Sequence, residues 1–205
     1  MDAEKTLTVA ITGASGAMLA RELLRLLHQD ARVARVHLIP SEASLRVLAE
    51  ELRLHGRANL VERLLGHASE KILLHAASDI GAAIASGSYP THGMIVLPCS
   101  MGTLAGIAHG MADTLIERAA DVSLKEQRPL LLCVRETPFS KIHLRNMSLA
   151  ADAGATIFPV IPAFYNHPDS MEEMARQFVS RVLMHIGLPQ DDAYQWGKQE
   201  ASGNK

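Results

Sequence analysis

Aromatic residues make up only 4% of this 205-residue chain, and that scarcity removes the stacking platforms on which single-stranded nucleic-acid binders rely. An excess of one charge is also missing. Twenty basic residues face 22 acidic ones, for a formal net charge of −2, so the chain has no global basic footprint for a nucleic acid. Only two cysteines occur, Cys99 and Cys133, each inside an apolar run. They are too few for a disulfide framework and fit buried, reduced thiols in a cytosolic protein. No apolar run approaches the ~18 residues that cross a bilayer, and Met1–Lys5 leads into an apolar strand without a secretory signal's basic start. The expectation is a cytoplasmic protein with no membrane and no nucleic-acid partner. Metal-type spacing is absent too: the ten histidines include no H-x-H or H-E-x-x-H, so no metal is expected. There is no G-x-S-x-G elbow, which makes Ser15 a poor hydrolase nucleophile.

What remains is a chain that is 48% apolar and 20% charged, long enough to bury ~70% of its unfolded surface without staples. Its length suggests one domain, over residues 1–187, with a polar C-terminal tail over 188–205. Strand candidates are Leu7–Thr12, Val33–Ile39, Gly93–Pro98, Leu130–Val134 and Thr156–Val160. Helical patterns start at Ser15 and after Ser41, and cover Leu104–Gly110, Asp113–Glu126, Pro138–Ala151 and Met171–Ile186. Residues 55–75 mix helix formers with His and Gly and set no boundary. Met18, Met171, Met174 and Met184 fall at helical spacings and read as core filler. The alternation of strand and helix, with strands that are continuous apolar runs, predicts a parallel sheet covered on both faces, flavodoxin-like or Rossmann-like.

In such sheets ligands bind beyond the carboxyl ends of the strands. The first strand ends in Gly13-Ala14-Ser15-Gly16-Ala17, where glycines allow close backbone approach and a helix start offers amides to a phosphate. The spacing is not G-x-G-x-x-G, and the second strand ends in Pro40-Ser41 where a dinucleotide fold offers an acid to the ribose, so a mononucleotide is favoured over NAD. A tight turn without ligand explains the glycines equally well. Ser100-Met101-Gly102-Thr103 follows the GMIVLP strand, and Ala85-Ser86-Gly87-Ser88 lies upstream. With Ser41 these make three hydroxyl-bearing turns, which points to a polar ligand threaded between them, although a helix cap explains any one alone. Arg118 and Lys125, seven residues apart on one helix, share a stripe ~10.5 Å long. Both could bind a phosphate or simply pair with Glu117, Asp121 and Glu126. Arg135 directly follows LLLCV, and Arg181 lies on the last helix.

The segments GASGA (13–17), Ser41, ASGS (85–88), PCSMGTLAGIAHG (98–110), LIERAADVSLKEQRPL (115–130), VRETPFSKIHLRNM (134–147), PAFYNHP (162–168) and Trp196 together resemble, in order, the UbiX-type flavin prenyltransferases. The resemblance implies a flavoprotein that binds reduced FMN as acceptor and dimethylallyl phosphate as donor. FMN is alkylated at N5 and closed at C6, and the prenylated FMN serves a UbiD-type decarboxylase. It implies FMN contacts from Gly13, Ala14, Ser15, Ser41, Ser100, Met101, Gly102, Thr103 and Arg135. The donor phosphate would meet Lys125, Arg135, Glu136, Tyr165 and Arg181, with Arg118 reaching in from a neighbouring subunit. Ser15, Glu51, Lys125 and Glu136 are the implied catalytic residues, the serine and the two glutamates handling protons. Cations replace the metal that diphosphate chemistry usually needs, and the assembly is a homododecamer of trimers, with Tyr194 and Trp196 packed on a neighbour. A cysteine decarboxylase of the same superfamily would carry P-x-M-N where this chain has Pro98-Cys99-Ser100-Met101. A mere flavin carrier would not need a second phosphate site.

Overall fold

Runs of branched and aliphatic residues bounded by turns suit strands buried on both faces, and such strands form the body of the sheet. In the computed structural model, which describes residues 4–191 and 193, these are β1 (Lys5–Ile11), β2 (Val33–Pro40), β4 (Met94–Cys99), β5 (Leu130–Val134) and the short β6 (Thr156–Ile157), joined by β3 (Ile72–Leu74). Every pairing is parallel, and the order is β3-β2-β1-β4-β5-β6. Of the two doubly wound orders this is the Rossmann-like one, with its topological switch between β1 and β4.

Helices cover both faces. On one side α1 (Ala17–Gln29), α2 (Glu42–Leu52), α3 (Leu60–Leu65) and α7 (Met171–His185) close a core around Leu24, Leu38 and Leu183. On the other, α4 (Met101–Ala108), α5 (Leu115–Lys125) and α6 (Lys141–Asp152) close a second core around Val96, Leu104 and Leu132. Ser41 caps α2 by accepting from the Ser44 amide, and α5 opens with a reciprocal box between Thr114 and Glu117. No helix among the described residues is long and apolar enough to cross a membrane.

Several boundaries differ from expectation for local reasons. α1 starts at Ala17, because Gly16 takes φ +130°, which a helix cannot use. Residues 55–75 contain a six-residue helix between two left-handed residues, Asn59 and Gly66, and a three-residue strand; both are too short to show a period. β6 stops early because Pro159 breaks the ladder, although the amides of Phe158 and Val160 still reach Leu132 and Val134 carbonyls. Leu188 is fully buried in the first core; Tyr194 and Trp196 lie outside the described residues. Met171 and Met184 are exposed, so they are not core filler. Cys99 and Cys133 are free and buried. Burial pushes both thiols up, Cys99 to about 12.

One polar group is held inside the second face. His37, on β2 and 3% exposed, shares hydrogen bonds with His75 (2.8 Å) and the Tyr89 hydroxyl (3.0 Å). Burial, then the nearby His75 and Arg35, push its pKa down to about 4 from 6.5. The unfolded chain therefore takes up this proton first as pH falls, so the contribution is complete above pH 6.5 and is lost towards pH 4. Urea midpoints should show about 2 kcal/mol less stability at pH 4.5 than at pH 7 from this group alone, a loss missing from His37→Gln. Parallel pH profiles for the two proteins would contradict the assignment.

Candidate functional site

The carboxyl edge of the sheet opens a crevice at the switch between β1 and β4, and Thr12 closes its base. Its hydroxyl donates to the Pro98 carbonyl at 2.8 Å and accepts from the Ser100 amide at 2.8 Å, while its own amide reaches Pro98 as well. The end of β1 is thereby fixed to the start of α4 by a side chain that is 1% exposed. Above it runs Gly13-Ala14-Ser15. A Cβ on Gly13 would stand 2.6 Å from that of Ala43, so this turn and the first turn of α2 approach as closely as they do only because residue 13 is glycine. The Ser41 amide donates to Ile11 at 2.9 Å, which brings the second loop to the same crevice.

On the other side of the switch, Ser100 caps α4, accepting from the Thr103 amide and sharing a hydrogen bond with the Thr103 hydroxyl. Gly102 is exposed with open space beside it, and Met101 is buried beneath. The Arg135 amide donates to Cys99 at 3.1 Å, setting the end of β5 beside the end of β4. Arg135 itself is exposed, and its guanidinium has no partner among the described residues. The Glu136 carboxylate accepts from the Thr137 amide at 2.9 Å. Exposed glycine-rich backbone, a helix start with two hydroxyls and an unpaired guanidinium fit a mononucleotide phosphate and the polar edge of a flavin.

Glu51 is placed less obviously. Its carboxylate accepts from the amides of Gly16 (3.1 Å) and Ala17 (2.8 Å), capping α1, which lacks a side-chain cap of its own. With Ser15 it lines an apolar cavity of about 430 Å³ that reaches Val160, Pro162 and α7. A second cavity of about 490 Å³ lies alongside between the last loop and α7, and takes in Tyr165 and Arg181. Met174 and Phe178 line both. Arg181 is exposed and also lacks an ion-pair partner among the described residues.

Arg118, Lys125 and the ASGS loop do not join this group within one chain. α5 crosses the second face and delivers the chain to the amino end of β5, so Lys125, in its last turn, stands at the opposite edge of the sheet. There it pairs with Glu126, and Gly87 lies against both side chains. Arg118 pairs with Asp121 at 2.9 Å and donates to the Ala85 carbonyl. The ASGS segment sits in the last part of the long β3–β4 connection, where Arg128 donates to the Gly87 carbonyl at 2.7 Å. That connection starts at the carboxyl edge and ends at the amino edge. Three hydroxyl-bearing turns in sequence are thus two in space, plus one elsewhere.

Two residues in this crevice carried little sequence signal. Thr12 reads as the last residue of a strand, and Glu51 caps a helix 35 residues away in sequence. For Thr12 the consequence is measurable. Thr12→Val leaves the half-buried Ser100 amide without its Thr12 partner, which should cost about 1–3 kcal/mol in urea unfolding and weaken FMN binding, whereas Thr12→Ser keeps both. FMN affinity and stability equal to wild type in the valine variant would remove Thr12 from the site.

Comparison with known proteins identifies the family and agrees with the fold. The family model described as Flavoprotein matches residues 1–181. The flavin prenyltransferase UbiX of Salmonella typhimurium is 47% identical over 194 residues, covering 94% of this chain and 98% of that protein. The crystal structure of AnUbiX (PadA1) in complex with FMN and dimethylallyl pyrophosphate superposes with a TM-score of 0.85 at 42% identity, covering 95% of this chain and 98% of that one. A dodecameric FMN-dependent UbiX-like decarboxylase from Escherichia coli O157:H7 gives 0.82 at 43% identity, covering 93% and 98%. With relatives this close over nearly its whole length, the chain belongs to the flavoprotein family and, within it, to the UbiX-type flavin prenyltransferases.

Proposed function

We propose that this chain transfers a dimethylallyl group from dimethylallyl phosphate to N5 and C6 of reduced FMN, producing prenylated FMN for a UbiD-type decarboxylase. The observation that carries the reading is the pairing state of two cations. Among the described residues, the guanidinium groups of Arg135, directly after β5, and Arg181, in the lining of the cavity of about 490 Å³, have no ion-pair partner. Unpaired guanidinium groups suit phosphate-bearing ligands. Gly13, Ala14, Ser15, Ser41 and the Ser100–Thr103 turn would hold FMN with Arg135, while Tyr165 and Arg181 receive the donor phosphate.

The chemistry asks the protein for little beyond charge and proton control. Breaking an allylic C–O bond leaves a delocalised cation and a phosphate, so cations around the leaving group lower the barrier. Two protons must then leave, from N5 and from C6, while the alkene gains one. Glu136, beside Arg135, and Ser15 with Glu51, which line the apolar cavity, would move them. No cluster of His, Cys, Asp and Glu suited to a metal exists among the described residues; Arg and Lys would neutralise the departing phosphate.

Arg118 and Lys125 enter from a neighbouring copy. Within one chain Lys125 stands at the amino edge and Arg118 is held by Asp121 and the Ala85 carbonyl, and the dodecameric relative shows that this fold assembles. Each site would then combine the carboxyl edge of one subunit with α5 and the ASGS loop of the next. Subunit complementation tests this arrangement. Arg118→Ala and Arg135→Ala, expressed separately, should each make little prenylated FMN, and co-expression should restore about a quarter of the sites by random mixing. No recovery on co-expression, or full activity of Arg118→Ala alone, would contradict the shared site.

A further inference from the structure

The loop between β6 and α7 carries PAFYNHP, and local turns such as His167 N–H to the Phe164 carbonyl (3.1 Å) shape it. A chain of side chains ties it to α7. Glu173 accepts from the Asp169 amide at 2.7 Å and from Gln177 Nε2 at 3.1 Å, and Gln177 Oε1 accepts from Asn166 Nδ2. Gln177 lies four residues, about one turn, before Arg181, and Asn166 directly follows Tyr165. The amide pair thus couples the tyrosine's loop to the arginine's helix, and all four residues line the same cavity of about 490 Å³. The other end of the asparagine amide is unexplained by packing: Oδ1 is buried and has no hydrogen-bond partner among the described residues. Buried acceptors are rarely left so, because desolvation goes uncompensated.

We propose that Asn166 is a further binding residue for the donor phosphate. Gln177 fixes its amide through Nδ2, and Oδ1 accepts the hydrogen bond of the protonated oxygen that a phosphomonoester retains near its second pKa of ~6. A neutral amide oxygen takes that proton donor without repelling the anion, which a carboxylate in the same place would do. The proposal rests on the donor assignment made above.

The test titrates prenylated-FMN formation by FMN-loaded, reduced protein against dimethylallyl phosphate, with inorganic phosphate as competing ligand. Asn166→Ala should raise KM roughly fivefold, and the isosteric Asn166→Asp roughly tenfold or more, with kcat within about twofold of wild type. FMN affinity should not move, melting temperature should fall no further than in Gln177→Ala, which breaks the same amide hydrogen bond, and inorganic phosphate should compete less well in both variants. Gln177→Ala, which releases the amide and leaves Asn166 in place, should raise KM by a smaller factor and serves if the Asn166 variants fail to fold. A merely structural amide would behave differently. Asn166→Asp would then match or outperform Asn166→Ala, or FMN affinity would fall as KM rises; either result overturns the proposal. Product from wild type with unchanged KM in every variant overturns the proposal alone. No product from wild type overturns the donor assignment and the proposal with it.

Discussion

The Thr12 hydroxyl, donating to Pro98 and accepting from Ser100, is the constraint on which the site depends. A doubly wound sheet leaves a gap where its connections diverge, between β1 and β4, and the loops that border such a gap have no backbone ladder to hold them in register. Here one buried side chain closes it with two hydrogen bonds. The glycine turn above β1 and the capped start of α4 are thereby held as one surface, and Gly13 lets the first turn of α2 close against it from the side. Arg135, tied through its amide to Cys99, extends that surface by one strand. Each group proposed to hold FMN stands on an element end that another hydrogen bond fixes.

The distribution of charge follows from the same architecture. The cations Arg135 and Arg181 have no acidic partner among the described residues. Those on α5 do: Arg118 with Asp121 and Lys125 with Glu126. All the α5 groups concerned are partly or largely exposed, and such pairs contribute little to stability. In the arrangement proposed above they would exchange their carboxylates for a phosphate when a neighbouring copy brings its own carboxyl edge alongside, and a monomer would bind the flavin and handle the donor poorly.

Much of this was legible in the sequence, for reasons that differ by residue. The strands could be read because LLLCV and MIVLPC are buried on both faces and contain no polar alternation. Ser41 and Ser100 could be read because a hydroxyl before a helical period is a cap wherever it occurs, and Arg135 because it directly follows a buried strand. Thr12 could not be separated from the strand it ends, since threonine suits a strand and a clamp alike. Glu51 holds the Gly16 and Ala17 amides, a contact across 35 residues that no local pattern encodes. The place of the ASGS loop was not legible, because sequence order alone cannot show at which edge of a sheet a long connection has arrived. The three-residue β3 and the six-residue α3 have no period to detect.

The central claim is that this crevice joins a five-carbon allyl unit to a flavin. Mass spectrometry of the flavin released after anaerobic incubation of the protein with FMN, a reductant and dimethylallyl phosphate tests it most directly. The account predicts a species heavier than FMN by one five-carbon prenyl unit, formed only when reductant and donor are both present. Recovery of unmodified FMN alone, from protein shown to have bound it, would contradict the account.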